Sequence, residues 1–181
     1  MAVLDGYLPA DATEAADAER MRAIGGDPWG RQTPLHFTAS ALIVHEETGR
    51  VLLRWHTRQR DWLQVGGHGD PGEWDPIAIA LREAEEETGL TDLEPWPDAA
   101  LRHVVIVKVH PGKGEPAHEH ADLRYFLTTR NPGAARPETP DAPLRWLGID
   151  EAVALTSNDN LRVTLGRLAV LLRPDDRRPA R

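Results

Sequence analysis

The stretch Gly66-Gly67-His68-Gly69-Asp70-Pro71-Gly72-Glu73-Trp74-Asp75-Pro76-Ile77-Ala78-Ile79-Ala80-Leu81-Arg82-Glu83-Ala84-Glu85-Glu86-Glu87-Thr88-Gly89-Leu90 decides how this chain is read. It opens as a glycine-rich loop and turns into a helix at Asp75-Pro76. Asp75 can cap free amides, and Pro76 in the first helical position loses no needed hydrogen bond. Gly89 supplies a left-handed stop. Ile77, Ala80, Leu81 and Ala84 recur at three- and four-residue spacing and form an apolar stripe. Glu83, Glu86 and Glu87 stand at i, i+3 and i+4, so they share one helix face, while Glu85 points elsewhere. Three carboxylates so close repel one another. Read alone, they are either a solvated acidic face partly relieved by Arg82 or the oxygen donors of a hard divalent cation.

Outward from this helix the pattern is mixed. Upstream, Leu35 to Val44 and Val51 to Trp55 are β-rich and flank a turn at Glu47-Thr48-Gly49, which predicts a hairpin; Leu63 to Val65 is a short strand leading into the loop. Downstream, strands are expected at Leu101 to Val109, Leu123 to Thr129 and Leu144 to Leu147, with a loop at Asn131 to Pro143 and a final amphipathic helix from about Asn158 to Leu172. An Ala-rich helix over Asp11 to Ile24 precedes all of this. Residues 1–30 therefore read as a helical extension, 31–173 as the main domain and 174–181 as a tail.

The whole chain sets limits on this reading. Its 181 residues suit about one domain, with 40% hydrophobic and 28% charged residues, a globular balance. There is no cysteine, which excludes disulfides, thiolate nucleophiles, Fe–S clusters and cysteine-ligated zinc. No apolar run approaches the roughly 18 residues of a membrane span, and Val104 to Val107 is only strand-sized, so no span is expected. Asp5, Asp11 and Glu14 interrupt any secretory pattern, and a cytoplasmic protein is expected. A formal charge of -8 disfavours nucleic-acid binding but not a small anion whose site is neutralised by cations.

The loop, the Arg82-Glu83 pair, Ala84, Glu86-Glu87, Gly89 and Leu90 together closely resemble the Nudix box: Gly, five residues, Glu, seven residues, Arg-Glu, an aliphatic, any residue, Glu-Glu, any residue, Gly, an aliphatic. Gly67 and Glu73 match the first spacing, and Arg82 through Leu90 match the second half. The middle spacer, Trp74 to Leu81, has eight residues in place of seven, and the extra residue falls at or before the helix start. The resemblance implies an α/β fold, a Nudix-type α/β/α sandwich with a mixed curved sheet, the N-terminal helix packing on the body or across a homodimer. It implies Mg²⁺ or Mn²⁺ held by Glu83, Glu86, Glu87 and the Gly66 carbonyl. Arg82 would orient the carboxylates, and a glutamate such as Glu83 or Glu86 would activate water. The implied activity is pyrophosphohydrolysis of a small phosphoanhydride, a nucleoside diphosphate linked to another moiety. The alternative is a nucleotide-binding regulator with little turnover, which a damaged carboxylate face would signal. Isopentenyl diphosphate isomerase shares the fold, but its usual mechanism needs a cysteine. The subgroup signatures of ADP-ribose, NADH and coenzyme A enzymes are not evident.

A second constellation alternates along the approach to the strand expected at Leu123 to Thr129. His118, His120 and Asp122 share one face, with Leu123, Tyr125 and Leu127 on the other. With His68 they are candidates for a transition-metal site; equally, they form a hydrogen-bonded polar face or line the substrate pocket. Glu119 or Asp122 is also a candidate for the additional carboxylate that many Nudix enzymes place outside the box. Trp62 and Trp74 are candidates for stacking on a base, and Arg54, Arg58, Arg60, Lys108 and Lys113 for meeting phosphates.

Overall fold

In a computed structural model, which describes residues 2–112 and 116–173, strand β1 (Leu35–His45) is buried over nine consecutive positions. A strand buried on both faces lies at the centre of a sheet with layers on each side. β1 runs parallel to β7 (His118–Thr128), in register from Leu35 opposite Glu119 to Val44 opposite Thr128. Its other edge is shared. The C-terminal part pairs antiparallel with β2 (Arg50–His56), and the middle pairs with β4 (Val65–Gly67). β2 carries β3 (Asp61–Leu63) and β8 (Leu144–Leu147), while β7 carries β6 (His103–Val109) and β5 (Glu94–Pro95). The predicted tail at 174–181 and Lys113 lie outside the described residues.

Helices close both faces of this mixed, open sheet. On one, α1 (Ala12–Arg22) and α2 (Pro76–Thr88) bury Met21, Ile79, Ala80 and Ala84 against Phe37, Ala39 and Ile43 of β1 and Leu123, Tyr125 and Leu127 of β7. On the other, α3 (Ile149–Leu155) and α4 (Asp159–Leu172) bury Ala152, Leu161, Leu165 and Leu168 against Leu42, Val44, Leu53 and Phe126. This is the expected α/β/α sandwich, and the alternation along β7 explains how one strand feeds both cores. The apolar stripe of α2 is rotated slightly from its expected position. Ile79 is fully buried, while Ile77 and Leu81 are only partly covered. Helix α3 and the two-residue β5 were not expected from the sequence, β7 begins at His118 rather than Leu123, and the strand expected at Leu63 to Val65 is divided between β3 and β4. No helix among the described residues is long and apolar enough to cross a membrane.

The N-terminal helix is tied into this body by a buried charge. Glu14 is 3% exposed and accepts from Arg167 of α4 at 2.8 Å and from the Val104 amide of β6 at 3.3 Å. Burial opposes its charge, but hydrogen bonds from Arg167, Tyr7 and the Ala10 and Val104 amides prevail and hold it down at about 2. Asp17 accepts from the Ile106 amide at 2.9 Å, so α1 binds β6 through backbone donors as well.

Candidate active site

The glycine loop can reach the box helix only because two positions lack a Cβ. Gly66 has φ +141°, and a Cβ there would lie 2.5 Å from the Ala39 carbonyl oxygen and the Ser40 Cα. A Cβ on Gly67 would sit 2.6 Å from a Glu83 carboxylate oxygen. The loop therefore lies directly on the carboxylates, and the Gly66 amide donates to Glu87 Oε2 at 3.1 Å. The helix begins and ends as its sequence dictates: the Asp75 side chain caps the Ile77 amide, Pro76 follows, and Gly89 closes it at φ 66°.

Arg82 organises the acidic face. Its Nε donates to both oxygens of Glu73 at 3.1 and 3.2 Å, and Nη1 donates to Glu83 at 3.1 Å and Glu86 at 3.0 Å. Nη2 donates to Glu73 at 2.9 Å and to the His68 carbonyl at 2.9 Å. Glu73 thus reaches its partner despite the longer spacer, and it also accepts from the Asp70 amide at 2.8 Å. The extra residue is absorbed at the bend, with Trp74 turned out to solvent at 73% exposure. Hydrogen bonding to Arg82 holds the Glu73 carboxyl below its ordinary value.

The three glutamates are graded by depth. Glu86 is the exposed one. Burial raises Glu83 above its ordinary value. Glu87 is deeper, and burial pushes it up to about 7 even though Arg54 stands 3.0 Å away and the Gly66 amide favours its charge. Arg54, one of the candidate phosphate contacts, is thus committed to Glu87 and to Glu138 at 3.2 Å. Glu85 is exposed on another face.

Beside the box lies a cleft of about 600 Å³, whose lining includes Gln64, Gly66, Gly67, His68, Arg58 and Lys108. It meets the box at Gly66 and Gly67, and none of the three glutamates lines it. Asp122 and His120 also face it. Asp122 is fully engaged, accepting from Ser40 at 2.6 Å, Thr38 at 3.0 Å and the buried Arg124 at 2.7 Å. Glu119 instead pairs with Arg20 of α1. Trp62 packs edge-on against Trp55 at 5.7 Å, beneath Arg145.

The histidines gather more tightly than their spacing predicts, and a fourth joins them. His36 on β1 lies opposite His120 on β7, and His36 Nε2 is 3.1 Å from His68 Nε2. His118 Nε2 is 3.1 Å from His120 Nε2. Burial pushes His68 down to about 3, with its histidine neighbours and Arg31 adding to the effect. His36 carried no signal in the sequence because it sits inside an otherwise apolar strand.

Comparison with known proteins gives the family and the fold. The chain matches the NUDIX domain family over residues 34–167. It is 29% identical over 160 residues to a CMP-5'-(N-acetyl-N-hydroxy-3-aminopropyl)phosphonate hydrolase of Streptomyces rubellomurinus, covering 80% of this chain and 70% of that protein. A NUDIX-family hydrolase structure from Clostridium perfringens superposes with TM-score 0.57 at 26% identity, covering 75% of this chain and 97% of that one. A C. elegans Ap4A hydrolase binary complex superposes with TM-score 0.60 at 20% identity, covering 75% and 96%. With the family match over residues 34–167, the matching fold and these relatives, the chain belongs to the Nudix family and is a Nudix hydrolase.

Proposed function

We propose that this chain hydrolyses a nucleoside diphosphate linked to another moiety, using Mg²⁺ or Mn²⁺ on the face of Glu83, Glu86 and Glu87. The observation that carries the reading is the way Arg82, Arg54 and the Gly66 amide hold three repelling carboxylates together against the glycine loop. All the side-chain donors are hard oxygens on one helix turn, and the Gly66 carbonyl is a candidate fourth, which suits such a cation. The bound cation supplies Lewis-acid polarisation of phosphoryl oxygens and a water of lowered pKa. Within the protein, Arg82 keeps Glu83 and Glu86 at fixed spacing and Arg54 positions Glu87. The proton of the attacking water would pass to a carboxylate of this set. Arg58 and Lys108 give the cleft the positive charge that a phosphate chain needs. The similarity to a hydrolase of a CMP-linked phosphonate supports a nucleotide-linked substrate.

The test is release of phosphate, pyrophosphate and nucleoside monophosphate from nucleoside triphosphates, dinucleotides, sugar nucleotides and CMP-linked phosphonates, with Mg²⁺, Mn²⁺ or EDTA. EDTA-sensitive turnover of one class is expected. Tight nucleotide binding with no turnover in any class would favour a regulator instead.

A further inference from the structure

We propose that His36, His68 and His120 form a second metal site, made of imidazole nitrogens, that takes a Zn²⁺-class transition ion and is separate from the carboxylate face. One donor atom from each of the three lies within 4.8 Å of the others. They come from separate segments: the parallel register of β1 and β7 sets His36 beside His120, and the turn after β4 delivers His68. The His36 to His68 Nε2 separation is 3.1 Å. A tetrahedral zinc with Zn–N bonds of about 2.0–2.1 Å spaces its donors about 3.3 Å apart, so this pair is already near the required distance.

The outer hydrogen bonds point the same way. His36 Nδ1 lies 2.6 Å from the Thr33 carbonyl oxygen, and His118 Nδ1 lies 2.9 Å from the Pro116 carbonyl oxygen. A carbonyl only accepts, so each Nδ1 carries the proton and each Nε2 presents its lone pair to the cluster. Backbone carbonyls fixing the far nitrogen are the usual support of a metal-bound imidazole. His118 stacks on His36 with ring centres 5.3 Å apart, which makes it the neighbouring imidazole available to complete the coordination. Nitrogen donors favour Zn²⁺, Co²⁺, Ni²⁺ and Cu²⁺ over Mg²⁺, so the two sites select different ions. They meet at one residue: the His68 ring enters the cluster while its carbonyl accepts from Arg82. An ion on His68 would therefore also fix the loop that Arg82 holds, and with His68 and His120 in the cleft wall it would lie beside bound substrate.

Untagged full-length protein, stripped of metal by chelation, would be titrated with Zn²⁺ and with Co²⁺ in excess Mg²⁺. One equivalent of Zn²⁺ and the visible ligand-field bands of Co²⁺ in a nitrogen site are expected. His68→Gln with His120→Gln should abolish both, while Glu86→Gln with Glu87→Gln should leave both intact, whatever either variant does to hydrolysis. Circular dichroism would check the fold. If the double histidine variant does not fold, His68→Gln alone, altered only in a loop side chain, is judged by the same loss. No uptake by the wild type, uptake unchanged in the histidine variants, or bands lost in the glutamate variant would each overturn the proposal.

Discussion

The carboxylate face and the histidine cluster lie on either side of the same three residues, Gly66 to His68, yet they are built in opposite ways. The carboxylates carry net negative charge, sit on one helix turn and are held together by guanidiniums. The histidines are drawn from two strands and the loop after β4, and are positioned partly by backbone carbonyls. The first arrangement is suited to a hard cation, through which it would meet phosphate oxygens. The second, a set of imidazole nitrogens, is suited to softer ions. The contrast teaches that charge compensation at the box comes from the protein's own arginines, whereas the cluster beside it is organised by geometry.

The comparison can be broken first at Glu87. Glu87→Gln keeps the side chain's volume but removes its negative charge, and turnover should fall at least about a thousandfold, or ~4 kcal/mol of barrier, with the fold retained. Steady-state kinetics with circular dichroism checks this. The two glycines sharpen the contrast by separating stability from activity. Gly66→Ala forces a Cβ onto backbone in a left-handed region and should lower stability by about 2–3 kcal/mol in denaturant melts. Gly67→Ala meets only the movable end of Glu83, so its melt should change little while kcat falls about tenfold, or ~1.4 kcal/mol. The smallest effect is one of pH. The folded carboxyl of Glu87 is raised to about 7 from 4.5, so between these values the folded protein keeps a proton that the unfolded chain has lost. Its contribution to stability in EDTA should therefore decline as pH rises from about 4.5 to about 7 and then level off. That slope should be reduced in Glu87→Gln, and melts at several pH values would show it.

Helix spacing made the acidic face legible: i, i+3, i+4 places three side chains together without any knowledge of the fold. The bond from Arg82 to Glu73 was not legible, because the longer spacer shifts Glu73 out of step until the bend turns Trp74 outward. The pairing of Arg54 with Glu87 was likewise not legible, since only the pairing of the sheet brings β2 beside the end of the box helix. The histidine cluster was half visible: His118 and His120 follow from strand alternation, but His36 joins them only through the parallel register of β1 with β7. Helix α3 escaped because it is seven residues long and starts at Gly148, which offers no side-chain cap of its own. The strand order of the sandwich could be expected in outline, whereas burial of Glu14 against Arg167 depends on where the N-terminal helix lands.

The most direct test of the account is hydrolysis of the best substrate by wild type and by Glu86→Gln, side by side, with Mg²⁺ and with EDTA. The account predicts that wild type is active with Mg²⁺ and silent in EDTA, and that Glu86→Gln is silent in both while still folded. Equal, EDTA-insensitive turnover by the two proteins would contradict it.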